Sequence, residues 1–224
     1  MIRAVFFDLY ETLITEWDGD QRKSVYSTEP LGLDRKIYKA EWNRRRELRM
    51  NGTFPDHQSV LRDILSAQGR TVDSDLIESV HQERVRAKKV PFEEINPEIQ
   101  ELLQQLKERG LKVGLISNCA PEEVMAWSSC ELANYFDEVV FSYEVKYAKP
   151  TPQIYKIAVE LLEVIPQDSI FIGDGGANEL VGAAKAGMTA FHATWFLPDT
   201  ISDRIREFPK LKKPLDLLTN KLAR

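Results

Sequence analysis

Asp8 ends the run Ala4-Val5-Phe6-Phe7-Asp8, so a carboxylate stands where an apolar run stops. Three more polar sites follow the same pattern: Ser117-Asn118 after Lys112–Ile116, Lys149 just before Pro150, and Asp174 after Ser169–Gly173. An ionised aspartate held by the backbone can attack an electrophile and form a covalent ester or acyl phosphate. Asp174 would bring a second acid beside Asp8. Two carboxylates held close repel, and a divalent cation relieves that repulsion. Magnesium prefers oxygen ligands and keeps several waters, so two aspartates and one backbone carbonyl suffice. The carbonyl of Tyr10 is a candidate third ligand. Thr12, Ser117 and nearby amides could donate to equatorial oxygens, and Lys149 adds positive charge. One such donor is typically worth about 3 kcal/mol of barrier. Each residue also has a plainer reading. Asp8, Ser117 and Asn118 could be turn or capping residues, and Lys149 a surface amine. Glu179 could hold a metal-bound water or cap the helix that follows it.

The elements that must position these groups follow from periodicity. A strand is expected from Ile2 to Asp8, then strands at Lys112–Ile116, Glu138–Phe141, Ser169–Gly173 and Met188–His192. Between them, apolar residues recur at helical spacing. Asn96 and Pro97 open one helix, with Ile99, Leu102, Leu103 and Leu106 inward and Gly110 as its stop. Further helices are expected from Pro121 to about Leu132, from Thr151-Pro152, and over Glu179–Ala186. Ile205, Phe208 and Leu211 fit a terminal helix that Leu215–Leu218 would extend. This alternation predicts an α/β fold with a doubly wound parallel sheet. Ligands of such sheets collect outside the carboxyl ends of the strands, where the polar residues fall.

The segment that follows the first strand, to about Val90, breaks the alternation. Val60, Leu61, Ile64 and Leu65, then Leu76, Ile77 and Val80, repeat at three and four residues. They read as amphipathic helices of an inserted lobe over 14–90, with Val90-Pro91-Phe92 as the return hinge and 1–13 plus 91–224 as the core.

The 224 residues carry a formal charge of -5, which argues against a nucleic-acid partner. No window approaches the roughly 20 apolar residues of a membrane span. The first residues lack a basic region followed by a leader-length apolar stretch. Cys119 and Cys130 give no disulfide framework, so a reducing, cytoplasmic setting is the expectation. His57, His81 and His192 lack ligand spacing, which argues against zinc. Arg44-Arg45-Arg46 and Arg49 read first as a solvated helix face and second as a contact for a substrate anion. Trp17, Tyr26 and Trp42 read first as core and second as pocket lining. A small anionic substrate is expected, and a homodimer is left open.

Four ordered motifs resemble the haloacid dehalogenase-like hydrolase superfamily. They are Asp8-Leu9-Tyr10-Glu11-Thr12-Leu13, Ser117-Asn118, Lys149-Pro150, and Gly173-Asp174 through Glu179-Leu180-Val181-Gly182-Ala183. The resemblance implies a Rossmann-like core with an all-helical cap inserted after the first motif. It implies Asp8 as nucleophile, with Thr12, Ser117 and Lys149 orienting the attacked group. Asp8, the Tyr10 carbonyl and Asp174 would hold Mg2+ in the phosphatase members.

Tyr10 departs from the phosphatase pattern, which has a second aspartate there as general acid and base. That function is typically worth about 10²–10⁴ in rate, and a phenol is a poor base near neutrality. Tyrosine there resembles the 2-haloacid dehalogenase branch, where a halide leaves without a proton. That branch usually follows a cap tryptophan with arginine, whereas Asn43 follows Trp42 here. Asp174 with Glu179 resembles the metal-dependent members instead. The expectation is therefore a magnesium-dependent phosphate-ester hydrolase. The alternatives are a metal-independent dehalogenase or a non-catalytic binder of a phosphate metabolite or protein.

Overall fold

Ala4–Phe7 forms β1, and the pleat sends Val5 and Phe7 to one face and Ala4 and Phe6 to the other. The computed structural model describes residues 1–71 and 73–220. Val72, inside the expected insert, and 221–224, at the end of the expected core, lie outside the described residues. After β1 come a two-stranded hairpin (Trp17–Asp18 with Gln21–Arg22) and four helices. These are α1 (Arg35–Arg44), α2 (Arg46–Met50), α3 (His57–Ala67) and α4 (Ser74–Lys89). The chain returns through a tight turn at Val90–Phe92 into α5 (Pro97–Glu108) and β2 (Lys112–Ser117). Then follow β3 (Glu138–Phe141), α6 (Pro152–Leu161), β4 (Ser169–Gly173), α7 (Glu179–Lys185), β5 (Thr189–Ala193), the short β6 (Lys210–Leu211) and α8 (Asp216–Asn220).

The six strands lie in the order β3-β2-β1-β4-β5-β6, all parallel. The order reverses at β1, whose neighbours are β2 and β4. The crevice at the carboxyl ends of β1 and β4 is therefore the switch point of a doubly wound sheet. Parallel strands covered on both faces read as near-continuous apolar runs. Val5, Phe7, Leu115 and Ile172 pack on α5, while Phe6 and Phe171 pack on α6 and α7. Asn96 caps α5 by accepting from the Glu98 amide.

The insert has its own apolar cluster, with Leu31, Val60, Leu61, Ile64, Leu65, Ile77 and Val80 buried together. Among the described residues no helix is long and apolar enough to cross a membrane.

Two expected helices are absent. Between Pro121 and Phe136 the chain makes successive 3₁₀ turns rather than one α-helix. The amides of Val124, Trp127, Cys130, Ala133 and Phe136 each bond three residues back. Val124, Trp127 and Cys130 are all buried, and a three-residue repeat suits a 3₁₀ winding, in which i and i+3 eclipse. Near the C-terminus, Ile205, Phe208 and Leu211 do not share a helix. Lys210–Leu211 extends the sheet instead, with the Pro209 carbonyl accepting from the His192 amide. Pro209 and Pro214 interrupt any helix through this stretch. The expected extension at Leu215–Leu218 overlaps the separate helix α8.

Candidate active site

β1 and β4 run side by side with Phe7 paired to Ile172, so Asp8 and Asp174 leave adjacent strands at the same edge. Ligand oxygens of Asp8, Asp174 and Glu179 all lie within 4.8 Å of one another. Lys149 joins them: its ammonium donates to Asp8 Oδ1 and, at 2.5 Å, to Glu179 Oε2. Lys149 is only 4% exposed and Glu179 2%. The surface-amine reading of Lys149 is thus excluded.

Each group is held by backbone close to it. The Asn118 amide donates to the Lys149 carbonyl at 2.8 Å and its carbonyl accepts from the Lys149 amide at 2.7 Å. Asn118 therefore fixes the lysine segment rather than facing the carboxylates. Glu179 Oε1 accepts from the Gly175 amide at 3.0 Å, so both of its oxygens are engaged and it does not cap its helix. A Cβ on Gly173 would fall 2.1 Å from Glu179 Oε1, so any larger residue there would displace that carboxylate. Asp174 Oδ1 accepts from the Gly176 amide at 2.8 Å. The loop after Asp8 turns tightly, with Glu11 at φ +57° and the Leu13 amide bonded to the Leu9 carbonyl. Asp8 sits in this loop, and its carboxylate points at Lys149 rather than capping a turn. Thr12 is fully buried there, and its hydroxyl has no partner among the described residues. Ser117, at the end of β2, is also buried.

One ammonium among three carboxylates leaves excess negative charge. Burial pushes the Asp8 carboxyl upward; Lys149 opposes this and Asp174 adds to it, for a net rise. Burial, then Asp8, pushes Glu179 well above the usual carboxylate range. Burial alone would lower Lys149, but Asp8 and Glu179 outweigh it and hold the ammonium above its ordinary value. Such a cluster takes up either a proton or a cation. Every candidate ligand atom is an oxygen, with no thiolate or imidazole among them. The donor set fits a hard divalent ion such as Mg2+.

The sequence matches the haloacid dehalogenase-like hydrolase family over residues 2–187. The chain belongs to this family. It is 29% identical over 120 residues to the pyrophosphatase PpaX of Bacillus mycoides (strain KBAB4). That match covers 49% of this chain and 55% of that protein, so the chain spans about half the length of the curated relatives it matches. The 2-haloacid dehalogenase of Pseudomonas syringae pv. Tomato DC3000 superposes with a TM-score of 0.69 at 21% identity, covering 100% of this chain and 99% of that one. A HAD family enzyme from Bacteroides thetaiotaomicron, crystallised with magnesium and inorganic phosphate, gives 0.58 at 20% identity, covering 87% and 95%. At these identities the structures support the shared fold.

Within this haloacid dehalogenase-like chain, Tyr10 points away from the carboxylates. Its hydroxyl donates to the Glu123 carbonyl at 2.5 Å, and its ring meets Phe92 edge-on. Burial, then Glu123 and Glu16, drives its pKa well above that of a free phenol. Cys119 is buried, and burial likewise raises its thiol. It behaves as the packed residue expected from sequence.

The arginine run divides. Arg44 and Arg46 are exposed, with Arg44 on Glu41 at 2.7 Å. Arg45 is buried between Glu41 and Asp63, and Arg49 is buried 3.8 Å above the Trp42 ring. The solvated-face reading therefore fails for Arg45 and Arg49.

Sequence reading also missed a buried ion cluster between insert and core. Arg84 donates to Glu122 at 2.8 Å and to Glu123 at 2.6 Å, while Lys88 contacts Glu123 at 3.2 Å and Glu16 at 2.7 Å. The available signal was Arg84 and Lys88 at i, i+4 on one face of α4. Two supports of the carboxylate loops had no local signal. The Trp195 indole donates to the Thr12 carbonyl at 2.8 Å, and His192 Nε2 bonds the Asp174 carbonyl at 3.0 Å.

Proposed function

We propose that this chain hydrolyses a small anionic phosphate monoester with Mg2+, using Asp8 as nucleophile and residues 14–90 as a cap over the site. The convergence of Asp8, Asp174 and Glu179 within 4.8 Å carries this reading. Asp8, the Tyr10 carbonyl and Asp174 would hold the ion. Bound there, it would supply positive charge against the phosphoryl oxygens. Glu179 would act near the ion by holding Lys149 and the Gly175 amide in place.

Asp8 attacks phosphorus, the ester oxygen leaves, and an acyl phosphate forms on Asp8. Water then attacks phosphorus, releasing phosphate and restoring the carboxylate. Lys149, donating to Asp8, favours the ionised nucleophile and offsets charge on the transferred group. The unpartnered Thr12 hydroxyl supports a donor role toward a phosphoryl oxygen, as does Ser117 at the strand end. Asn118 positions Lys149. Tyr10 supplies no proton, so esters of acidic alcohols and phenols should react fastest.

The test is phosphate release from a panel of phosphate esters with and without Mg2+. Magnesium-dependent release that Asp8→Asn abolishes supports the reading. No release from any ester, or undiminished release in excess EDTA, overturns it.

A second reading rests on Tyr10. A phenol held on a backbone carbonyl cannot serve as acid, and a departing halide needs none. Chloride release from 2-chloropropionate in EDTA would select dehalogenation, with an ester on Asp8.

A further inference from the structure

The insert carries a cavity of about 500 Å³ that shares no residue with the carboxylate cluster. That volume lies within the range of small-molecule sites, roughly 300–1,000 Å³. One wall is a single face of α1, where Arg35, Tyr38, Lys39 and Trp42 follow at three- and four-residue spacing. Lys88 and Glu123 form the side toward the core.

The cations around this cavity are in two states. Lys88 and Arg84 are already paired with Glu16, Glu122 and Glu123. Arg35 and Lys39 are exposed and meet no carboxylate among the described residues. Tyr38 and Trp42 are half-buried, with ring centroids 5.6 Å apart and planes tilted by 31°. A solvated helix face would carry the cations without the aromatics, and a core face the aromatics without the cations. Here both line one concavity.

The cavity also adjoins the loop that bears Asp8. Lys88 Nζ lies 4.9 Å from the Tyr10 ring centre, and the Tyr10 hydroxyl bonds Glu123. Tyr10 is two residues past Asp8, so their Cα atoms are within about 7 Å.

We infer that this cavity receives the leaving group of the substrate, and that the leaving group is a planar ring carrying a second anion, met by Arg35 and Lys39. This rests on the phosphate-ester reading and deepens it by naming the substrate class. Tyr38 supplies flat apolar surface for the ring, and Trp42, whose face Arg49 covers at 3.8 Å, packs beside it. The unpaired cations supply the field for the anion.

A matched pair of ligands tests it: phenyl phosphate and 4-carboxyphenyl phosphate, which differ by one carboxylate. Titration calorimetry uses the full chain with Asp8→Asn, so that neither ligand turns over, in the presence of Mg2+. We expect 4-carboxyphenyl phosphate to bind about ten-fold more tightly. R35E/K39E should bring the Kd ratio to about one. K36E/R46E, the same charge change at insert residues that do not line the cavity, should keep it about ten-fold. Equal binding of the two ligands, or a preference that R35E/K39E leaves in place, overturns the inference. Phosphate release with Asp8 intact is read separately. Preferential binding without release from either ligand or from any ester of the panel supports the cavity and removes the phosphatase reading.

Discussion

Lys149 Nζ donates to both Asp8 Oδ1 and Glu179 Oε2, and all three side chains are buried. The ammonium is thus the counter-charge that lets two carboxylates share one low-dielectric site. Removing one partner of a buried pair costs far more than the pair contributes, because it strands a charge. Lys149→Met should lower stability by about 3 kcal/mol in urea denaturation at neutral pH. Adding Glu179→Gln should recover at least about 1 kcal/mol by removing one stranded charge. A loss well below about 1 kcal/mol for the single change would mean that the carboxylates do not depend on the lysine.

The carboxylate excess makes a second prediction that needs no substrate. An ion that binds only the folded state stabilises by about 2.7 kcal/mol at a hundred times its Kd. For a chain of this size that is a melting-temperature rise of about 5–10 °C. Millimolar Mg2+ should produce it, EDTA should reverse it, and Asp174→Asn should abolish it. A melting curve indifferent to Mg2+ in the unsubstituted protein would remove the metal site.

Tyr10 occupies the place where the proposed reaction would benefit from an acid. Tyr10→Asp should raise hydrolysis of poor-leaving-group phosphate esters by about 10²-fold. Tyr10→Phe should change the rate little, since the lost hydroxyl faces the Glu123 carbonyl rather than the carboxylates. Comparison of kcat for the two variants on alkyl and aryl phosphates checks both. An unchanged rate in Tyr10→Asp would mean that proton transfer does not limit turnover.

What was legible in the sequence follows a physical divide. The core strands read clearly because a parallel sheet covered on both faces needs continuous apolar runs, and Asp8, Ser117 and Asp174 mark where those runs end. The switch-point order then brings Asp8 and Asp174 together. Lys149 and Glu179 were found as candidates, but their mutual hydrogen bond depends on how two loops approach, which no local pattern encodes. The 3₁₀ ladder through Val124, Trp127 and Cys130 was missed because three-residue apolar spacing also occurs on α-helices. The ion cluster of Arg84 with Glu122 and Glu123 joins segments far apart in the chain. His57 and His81 have no ligand spacing, yet the insert brings their ring centroids to 5.6 Å.

That histidine pair gives the insert a predictable response to acid. His57 is 1% exposed, and neither ring nitrogen has a partner among the described residues. Tyr26 and Trp42 meet it edge-on, His81 lies beside it, and Arg84, Arg49 and Glu123 are the charges that act on it. Burial, then Arg84, lowers its pKa from 6.5 to about 2. Below pH 6.5 the unfolded chain therefore takes a proton that the folded chain refuses. The stability due to neutral His57 is complete above pH 6.5 and falls with pH through the window down to about 2. One proton corresponds to about 1.4 kcal/mol per pH unit once well below 6.5. Burial also holds His192 low, so it adds its own slope in the same window. Glu123 acts only at lower pH: burial raises its carboxyl, but Lys88 and Arg84 outweigh burial and hold it below the usual range. Between about pH 7 and 5 the raised carboxyl of Glu179 adds a slope of opposite sign, so urea denaturation isolates His57 as the difference between the protein and its variant. His57→Phe should flatten the stability profile there by about one proton's slope, whatever its effect on absolute stability. Parallel profiles for the two proteins would mean that His57 takes up its proton without the insert opening.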